Sequence, residues 1–111
     1  MKLNVDGAMT LCSSKAGCGG VLRDCKGTWI AGFSKSIGIC EASVAEEWAM
    51  YEGLYFAWDL GFRKIVVESD ALDLVSRLLN VNLLSHSLLV QRIKDLMAMD
   101  WMISVSYIPR A

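Results

Sequence analysis

Three acidic residues, Asp6, Glu46 and Asp70, occupy positions where a carboxylate is either costly to bury or suited to binding a metal ion. Asp6 follows the apolar alternation in "KLNVDGA", which is typical of a central strand, where an unpaired carboxylate is costly to bury. Glu46 lies near the start of a helical stretch, and Asp70 ends the β-branched stretch "RKIVVESD". Carboxylates clustered in a poorly solvated site hold Mg²⁺ or Mn²⁺, and paired ions promote in-line displacement at a phosphodiester. The residue types therefore favour a divalent metal site, provided that the fold brings them together.

Two of these acidic residues also have a simple structural explanation when each is taken alone. Asp70 can cap a helix that starts at Ala71, and Glu46 can form a capping box with Ser43. Neither explanation applies to Asp6. For the three residues together, metal binding is the favoured interpretation.

Strand patterns dominate the first forty residues. Apolar and polar residues alternate over residues 3–6, and further strand-like stretches lie at residues 19–24 and 28–37. The sequence "DCKG" at residues 24–27 is a turn signal, so the second and third strands are predicted to form an antiparallel hairpin. The stretch "SSKAGCGG" at residues 13–20 is predicted to be the turn that joins the first two strands.

Helical patterns begin at residue 41. A long helix is predicted from there to Gly61, with one mainly apolar face that includes Ala45, Trp48 and Ala49. A strand buried on both faces is predicted over residues 63–70, because its residues are mostly β-branched and bounded by turn signals. Helices at residues 71–79 and 87–99 and a final alternating strand, "WMISVSYIPR", complete the predicted elements.

This order of elements predicts an α/β fold in which the first and fourth strands lie side by side and parallel. The carboxyl ends of such strands share one edge of the sheet, where ligands bind in open α/β folds. Asp6 and Asp70 would then meet at that edge, and Glu46 in the long helix would project toward it. The elements therefore predict that the three carboxylates converge.

Composition limits the class of protein. The 111 residues, of which 54% are hydrophobic, predict one domain spanning residues 1–111. A net charge of −1 excludes a broad basic surface for a polyanion. The four cysteines match neither paired zinc ligands nor a disulfide scaffold and are predicted to be free and mostly buried. Without an apolar stretch of membrane-spanning length or a signal sequence, we expect a soluble intracellular protein, nuclear or cytoplasmic and not secreted.

Four segments in this order resemble the ribonuclease H-like domain, in particular the plant version found in retrotransposon-derived, reverse-transcriptase-type sequences. The segments are "NVDGA" at residues 4–8, "GCGGVLRDCKG" at 17–27, "AEEWAMYEGL" at 45–54 and "VVESDALDLV" at 66–75. The resemblance implies a five-stranded mixed sheet in the order 3-2-1-4-5, flanked by helices. It also implies an endonuclease that cuts the RNA strand of an RNA/DNA hybrid using Mg²⁺, with Mn²⁺ as a substitute.

The resemblance assigns roles to individual residues. Asp6 would bridge two metal ions, Glu46 would hold the metal on the nucleophile or substrate side, and Asp70 would complete the inner site. The family more often has an apolar residue at the position of Glu47, which is predicted to be solvated. Recognition of RNA requires contacts to 2′-hydroxyl groups from small polar side chains and backbone amides. The predicted substrate contacts near the first two strands are Asn4, Gly7, Ser13, Ser14 and Gly17.

The sequence also departs from the family pattern. After the last strand the family usually has a segment Arg-Glu-x-Asn-x-x-Ala-Asp that supplies a fourth carboxylate and opens a final helix, whereas this sequence ends at "YIPRA". We therefore expect a domain without that helix. His86 precedes a predicted helix, so it does not match the family's mobile histidine and is interpreted as a cap-region or surface residue. No basic insertion appears between the later helices.

Three functions are compatible with these observations. The first is a ribonuclease H-type endoribonuclease that uses Asp6, Glu46 and Asp70. The second is a catalytically degenerate module that keeps the fold and binds nucleic acid or protein, which the missing fourth carboxylate and the absent basic patch favour. The third is a different nuclease or transposase-like activity, since a fold does not determine a substrate.

Overall fold

The computed structural model describes residues 1–9, 15–80 and 87–109. Its elements are β1 (Lys2–Met9), β2 (Lys15–Arg23), β3 (Trp29–Ile39), α1 (Ala42–Asp59), β4 (Lys64–Ser69), α2 (Leu72–Leu79), α3 (Leu88–Met97) and β5 (Met102–Tyr107). The five strands form one mixed sheet in the order β3-β2-β1-β4-β5, as predicted. β1 is antiparallel to β2 and parallel to β4, and β5 is parallel to β4.

The predicted hairpin between β2 and β3 is present. The Oδ1 atom of Asp24 accepts hydrogen bonds from the backbone N–H groups of Lys26 and Thr28, each at 2.9 Å. Gly27 adopts a φ of 82°, which an L-residue with a side chain rarely adopts. Asp24 and Gly27 therefore form the turn that the sequence predicts.

β2 is longer than predicted. Within the segment that we assigned to a turn, residues 16–20 pair with both β1 and β3, and Lys15 pairs with β3. Glycines at these positions are tolerated because neighbouring groups need the space; a Cβ on Gly20 would lie 2.6 Å from Cε1 of Phe33. The glycine run is therefore part of the sheet, and its turn-like composition was misleading.

The structure confirms the predicted C-terminal end of α1 but not its predicted N-terminal capping. Its N-cap residue is Glu41 without a side-chain hydrogen bond, and Ser43 lies inside the helix, so the predicted capping box is wrong. At the other end Gly61 has a φ of 92°. The N–H of Phe62 donates to Ala57 O at 3.1 Å, an arrangement typical of a glycine-terminated helix. The predicted stop at Gly61 is thus confirmed.

The core lies between the sheet and the helices. α1 packs on β1 and β2 and against α3, which buries more than one side of the helix. The predicted apolar face is therefore wrong in part, since Met50, Leu54 and Ala57 are also fully buried while Trp48 is only half-buried. The largest fully buried side chains are Leu3, Leu22, Met50, Leu54, Ile65, Val67, Val90 and Ile93.

β4 is buried on one face rather than on both. Ile65 and Val67 are at most 1% exposed, whereas Val66 between them is 36% exposed. The reason is tertiary: within the described residues, the side of the sheet that carries Val66 is open.

The remaining predictions have mixed outcomes. Cys18 is buried, but Cys40 is half-buried and Cys25 exposed, so the expectation of mostly buried thiols is wrong for the described cysteines, which are all free. Cys12 and His86 lie outside the described residues. No helix in the described parts of the chain is long and apolar enough to cross a membrane.

Candidate metal centre

Three carboxylates from three elements meet at one edge of the sheet. Asp6 lies in β1, Glu46 in the second turn of α1, and Asp70 directly after β4. One oxygen from each lies within 4.8 Å of the others. Because β1 and β4 are parallel, with Asn4 opposite Glu68, Asp6 and Asp70 are both two residues beyond that pair and leave the sheet at the same edge.

Gly7 lets α1 approach β1 closely enough to complete this cluster. A Cβ on Gly7 would lie 2.2 Å from the backbone oxygen of Ala45 and 2.6 Å from the backbone nitrogen of Glu46. No larger residue fits unless the helix moves. Gly7 is buried against α1, so the structure places this predicted substrate contact away from solvent.

The burial of Glu46 and mutual repulsion among the three carboxylates dominate the electrostatics of the cluster. Burial raises the pKa of Glu46 to about 7, and the negative charge of Asp6, a hydrogen bond with Asp6 and the charge of Asp70 add to the effect. A backbone hydrogen bond from Gly7 opposes it. The Oε2 atom of Glu46 is buried without a hydrogen-bond partner in the described structure. A hard divalent cation fits this donor set, because it would both pair that oxygen and offset the repulsion.

A capping box does not account for Glu46. Since Ser43 lies within α1, Glu46 is not part of a capping box. The N-cap residue of α2 is Ala71, which has no side-chain cap hydrogen bond, and its backbone N–H donates to Oγ of Ser69 at 3.1 Å. The capping-box interpretation of Glu46 is therefore wrong, and the N-cap position of α2 is Ala71 rather than Asp70.

A cleft of about 180 Å³ opens beside the cluster. It is lined by Asn4, Val5, Asp6, Glu68, Ser69, Asp70 and Ile108. A second cleft, of about 270 Å³, shares Asn4 and Asp6 and extends over β2 to Arg23. The side chain of Asn4 donates to Oε1 of Glu68 at 3.1 Å, which fixes its orientation between the two clefts.

Of the predicted substrate contacts other than Asn4 and Gly7, only Gly17 lies within the described residues. Gly17 is half-buried in β2, paired with Ala8 of β1. Ser13 and Ser14 lie outside the described residues.

Glu47 is the residue that sequence reasoning misjudged. It is 7% exposed, not solvated. Its Oε1 accepts a hydrogen bond from Oγ of Ser87 at 2.6 Å, and its Oε2 lies 3.9 Å from Nη2 of Arg77. A residue adjacent to Glu46 points about 100° around the helix, and here that direction leads to α2 and α3 rather than to water. The apolar residue that the resembled family more often has at this position is the signal that points to a buried side chain.

The fold and the carboxylate cluster together define a ribonuclease H-like domain. The structure of RNase H1 from Halobacterium salinarum superimposes with a TM-score of 0.86 over 98% of this chain and 85% of that one, at 24% identity. LC11-RNase H1, solved in complex with an RNA/DNA hybrid, gives a TM-score of 0.84 over 98% and 85% of the two chains, at 23% identity. At these identities the likeness establishes the fold.

Sequence comparison identifies the family. Residues 4–111 match the reverse transcriptase-like family, and the chain belongs to it. The chain is also 39% identical over 112 residues to an Arabidopsis thaliana protein named "Putative ribonuclease H protein". That match covers 99% of this chain and 18% of the relative, so the chain spans about a fifth of the relative's length.

Proposed function

We propose that this chain is a divalent-metal-dependent endonuclease that cleaves the RNA strand of an RNA/DNA hybrid. The observation that carries the proposal is the convergence of three carboxylates within 4.8 Å, one of which has a buried oxygen without a partner. The family supports it, as does the presence of an RNA/DNA hybrid in a solved structure of the same fold.

Asp6, Glu46 and Asp70 would hold Mg²⁺, or Mn²⁺ in its place. Such ions supply an activated water and neutralise charge on the phosphodiester during in-line displacement. Asp6 lies in β1, Asp70 directly follows the neighbouring parallel strand β4, and Glu46 lies in a helix held against β1 by Gly7. The protein's contribution is thus a rigid, preorganised set of oxygens.

Glu46 also determines when the site is ready to bind a cation. With a pKa near 7, its carboxyl group holds a proton in mildly acidic solution and shares a hydrogen bond with Asp6. Loss of that proton frees both carboxylates for a cation, since ligands must be deprotonated to bind a metal. Activity should therefore rise as the pH increases toward neutrality.

For the hybrid, we propose contacts along the two clefts that flank Asn4. Asn4 lines both clefts together with Asp6, which suits a contact to the sugar and phosphate groups of a strand. Gly17, together with Ser13 and Ser14, is proposed to extend this contact. Gly7 is proposed to act through the position of α1, because it is buried.

Cleavage of a labelled RNA/DNA hybrid in Mg²⁺ and then Mn²⁺ tests the proposal. Asp6→Asn should abolish cleavage, because it removes a metal ligand while keeping the size of the side chain. Asp59→Asn is the matched control, since Asp59 is exposed at the far end of α1, and it should retain full activity. Unchanged cleavage by Asp6→Asn would refute the assignment.

The same assay separates the alternative functions. Cleavage of duplex DNA or duplex RNA in preference to the hybrid would indicate another nuclease of this fold. Hybrid binding in EDTA without cleavage under any condition would indicate a binding module that has lost the chemistry.

A further inference from the structure

A buried carboxylate that the proposed chemistry does not use lies next to Glu46. Glu47 is 7% exposed, and a buried carboxylate is costly unless it is paired and hydrogen-bonded. Its two oxygens face different helices. Oε1 accepts the hydrogen bond from Ser87, and Oε2 lies near the guanidinium of Arg77.

Ser87 connects Glu47 to the start of α3. Its Oγ donates to Glu47 at 2.6 Å and, as the N-cap of α3, accepts from the backbone N–H of Val90 at 3.2 Å. One hydroxyl group thus uses its donor and an acceptor position at once, so its orientation is fixed from both sides. The first turn of α3 is thereby joined to the part of α1 that carries Glu46.

Arg77 connects the same carboxylate to α2. This helix begins at Leu72, so only Ala71 separates it from Asp70 in the chain. Nη2 of Arg77 lies 3.9 Å from Glu47, and its Nε lies 3.3 Å from Asp73 Oδ2 without hydrogen-bond geometry. Glu47 therefore connects α1, the helix that also carries Glu46, with α2, the helix that follows Asp70.

We propose that Glu47 is a positioning residue, which sets the separation of Glu46 and Asp70 through Ser87 and Arg77. The inference rests on the proposed function of the carboxylate cluster as a metal site. Its physical basis is that ligands of a metal are oriented by groups behind them, and that a buried, hydrogen-bonded network permits few alternative arrangements. A network that only stabilised the fold would leave the metal affinity of the folded protein unchanged.

Binding of Mg²⁺ alone, and then of Mn²⁺, to four variants by calorimetry tests this inference. Ser87→Ala is the central variant because it removes the hydrogen bond to Glu47 without changing any charge. We expect its affinity for the cation to fall about tenfold or more, the usual effect of losing a group behind a ligand. Ser87→Thr keeps a donor and an acceptor and should restore the affinity.

Glu47→Gln and Glu52→Gln form a matched pair on α1. Both remove one negative charge and one ion pair, since Glu52 Oε1 lies 2.8 Å from Nζ of Lys35 on another side of the helix. Glu47→Gln should weaken binding about tenfold, and Glu52→Gln should stay within about twofold of the parent. The titrations belong at about 0.15 M salt, which screens the distant effect of a lost charge.

Circular dichroism establishes first that each variant is folded at the titration temperature. Equal affinities in the parent, Ser87→Ala and Glu47→Gln would overturn the positioning role, even if these variants unfold at lower temperature. Should Ser87→Ala fail to fold, the comparison of Glu47→Gln with Glu52→Gln decides the question. If the parent chain binds neither cation, the proposed function itself fails, and the inference falls with it.

Discussion

At the scale of single residues, the unusual group is Glu46. Its folded-state pKa of about 7 lies above the ordinary value of 4.5, because burial and the charges of Asp6 and Asp70 disfavour its ionised form. A raised carboxyl pKa contributes stability that is fully present below pH 4.5 and is lost as the pH rises to 7. Without a cation, the folded protein is therefore weakened at neutral pH by its own site.

Glu46→Gln should reveal this cost in EDTA. A neutral amide escapes the repulsion, so the variant should exceed the parent in free energy of unfolding by about 1 to 2 kcal/mol at pH 8, a value reduced from the full pKa shift because the group is only half-buried. The difference should shrink as the pH falls and vanish below pH 4.5, where the parent carboxyl is protonated in both states. Urea denaturation at both pH values measures it, and a difference independent of pH would contradict the explanation.

At the scale of elements, the decisive contact is between α1 and β1. The backbone of Ala45 and Glu46 lies so near Gly7 that a single methyl group cannot be added. This contact, together with the parallel pairing of β1 and β4, determines where the carboxylates meet. The site is thus a property of two packed elements as much as of its three ligands.

Gly7→Ala should lower the free energy of unfolding by about 3 kcal/mol, because α1 must move to relieve the overlap. The same movement should displace Glu46 and weaken cation binding. Gly17→Ala is the matched control in the same sheet: its added Cβ would lie 3.4 Å from Lys35 O, and we expect a change within about 1 kcal/mol. Similar losses in the free energy of unfolding of the two variants, measured by chemical denaturation, would show that the effect of Gly7→Ala comes from the strand and not from the contact with α1.

At the scale of the whole molecule, the site lies at an edge of the sheet, beside the core rather than within it. The helices bury one face around Leu3, Ile65 and Val67, while the carboxylates gather at an edge beside two open clefts. The core can therefore remain packed while the edge carries repulsive charge. The free energy of unfolding of the whole chain should then depend on whether a cation is bound at that edge.

A divalent cation should stabilise the whole chain against heat. A ligand that binds only the folded state adds about 2.7 kcal/mol at one hundred times its Kd. The unfolding temperature should rise when Mg²⁺ replaces EDTA in the parent and in Asp59→Asn, but not in Asp6→Asn. A rise of equal size in Asp6→Asn would place the cation elsewhere on the protein.

The sequence by itself determined the order of the elements, the hairpin turn at Asp24, the helix stop at Gly61 and the sheet order implied by the family resemblance. These features depend on local periodicity, on turn chemistry and on motifs in a fixed order. It also singled out Asp6, Glu46 and Asp70, because a carboxylate within a central strand and acidic residues near the ends of a helix and a strand are visible without coordinates.

Only the tertiary structure decided which groups are buried. Glu47, one residue from Glu46, is enclosed by Ser87 and Arg77 although both lie at least thirty residues away in the chain. Val66 stays exposed within a β-branched strand because one side of the sheet is open over the described residues. The burial of a residue depends on which distant elements pack against it, and a local sequence pattern does not show which elements these are.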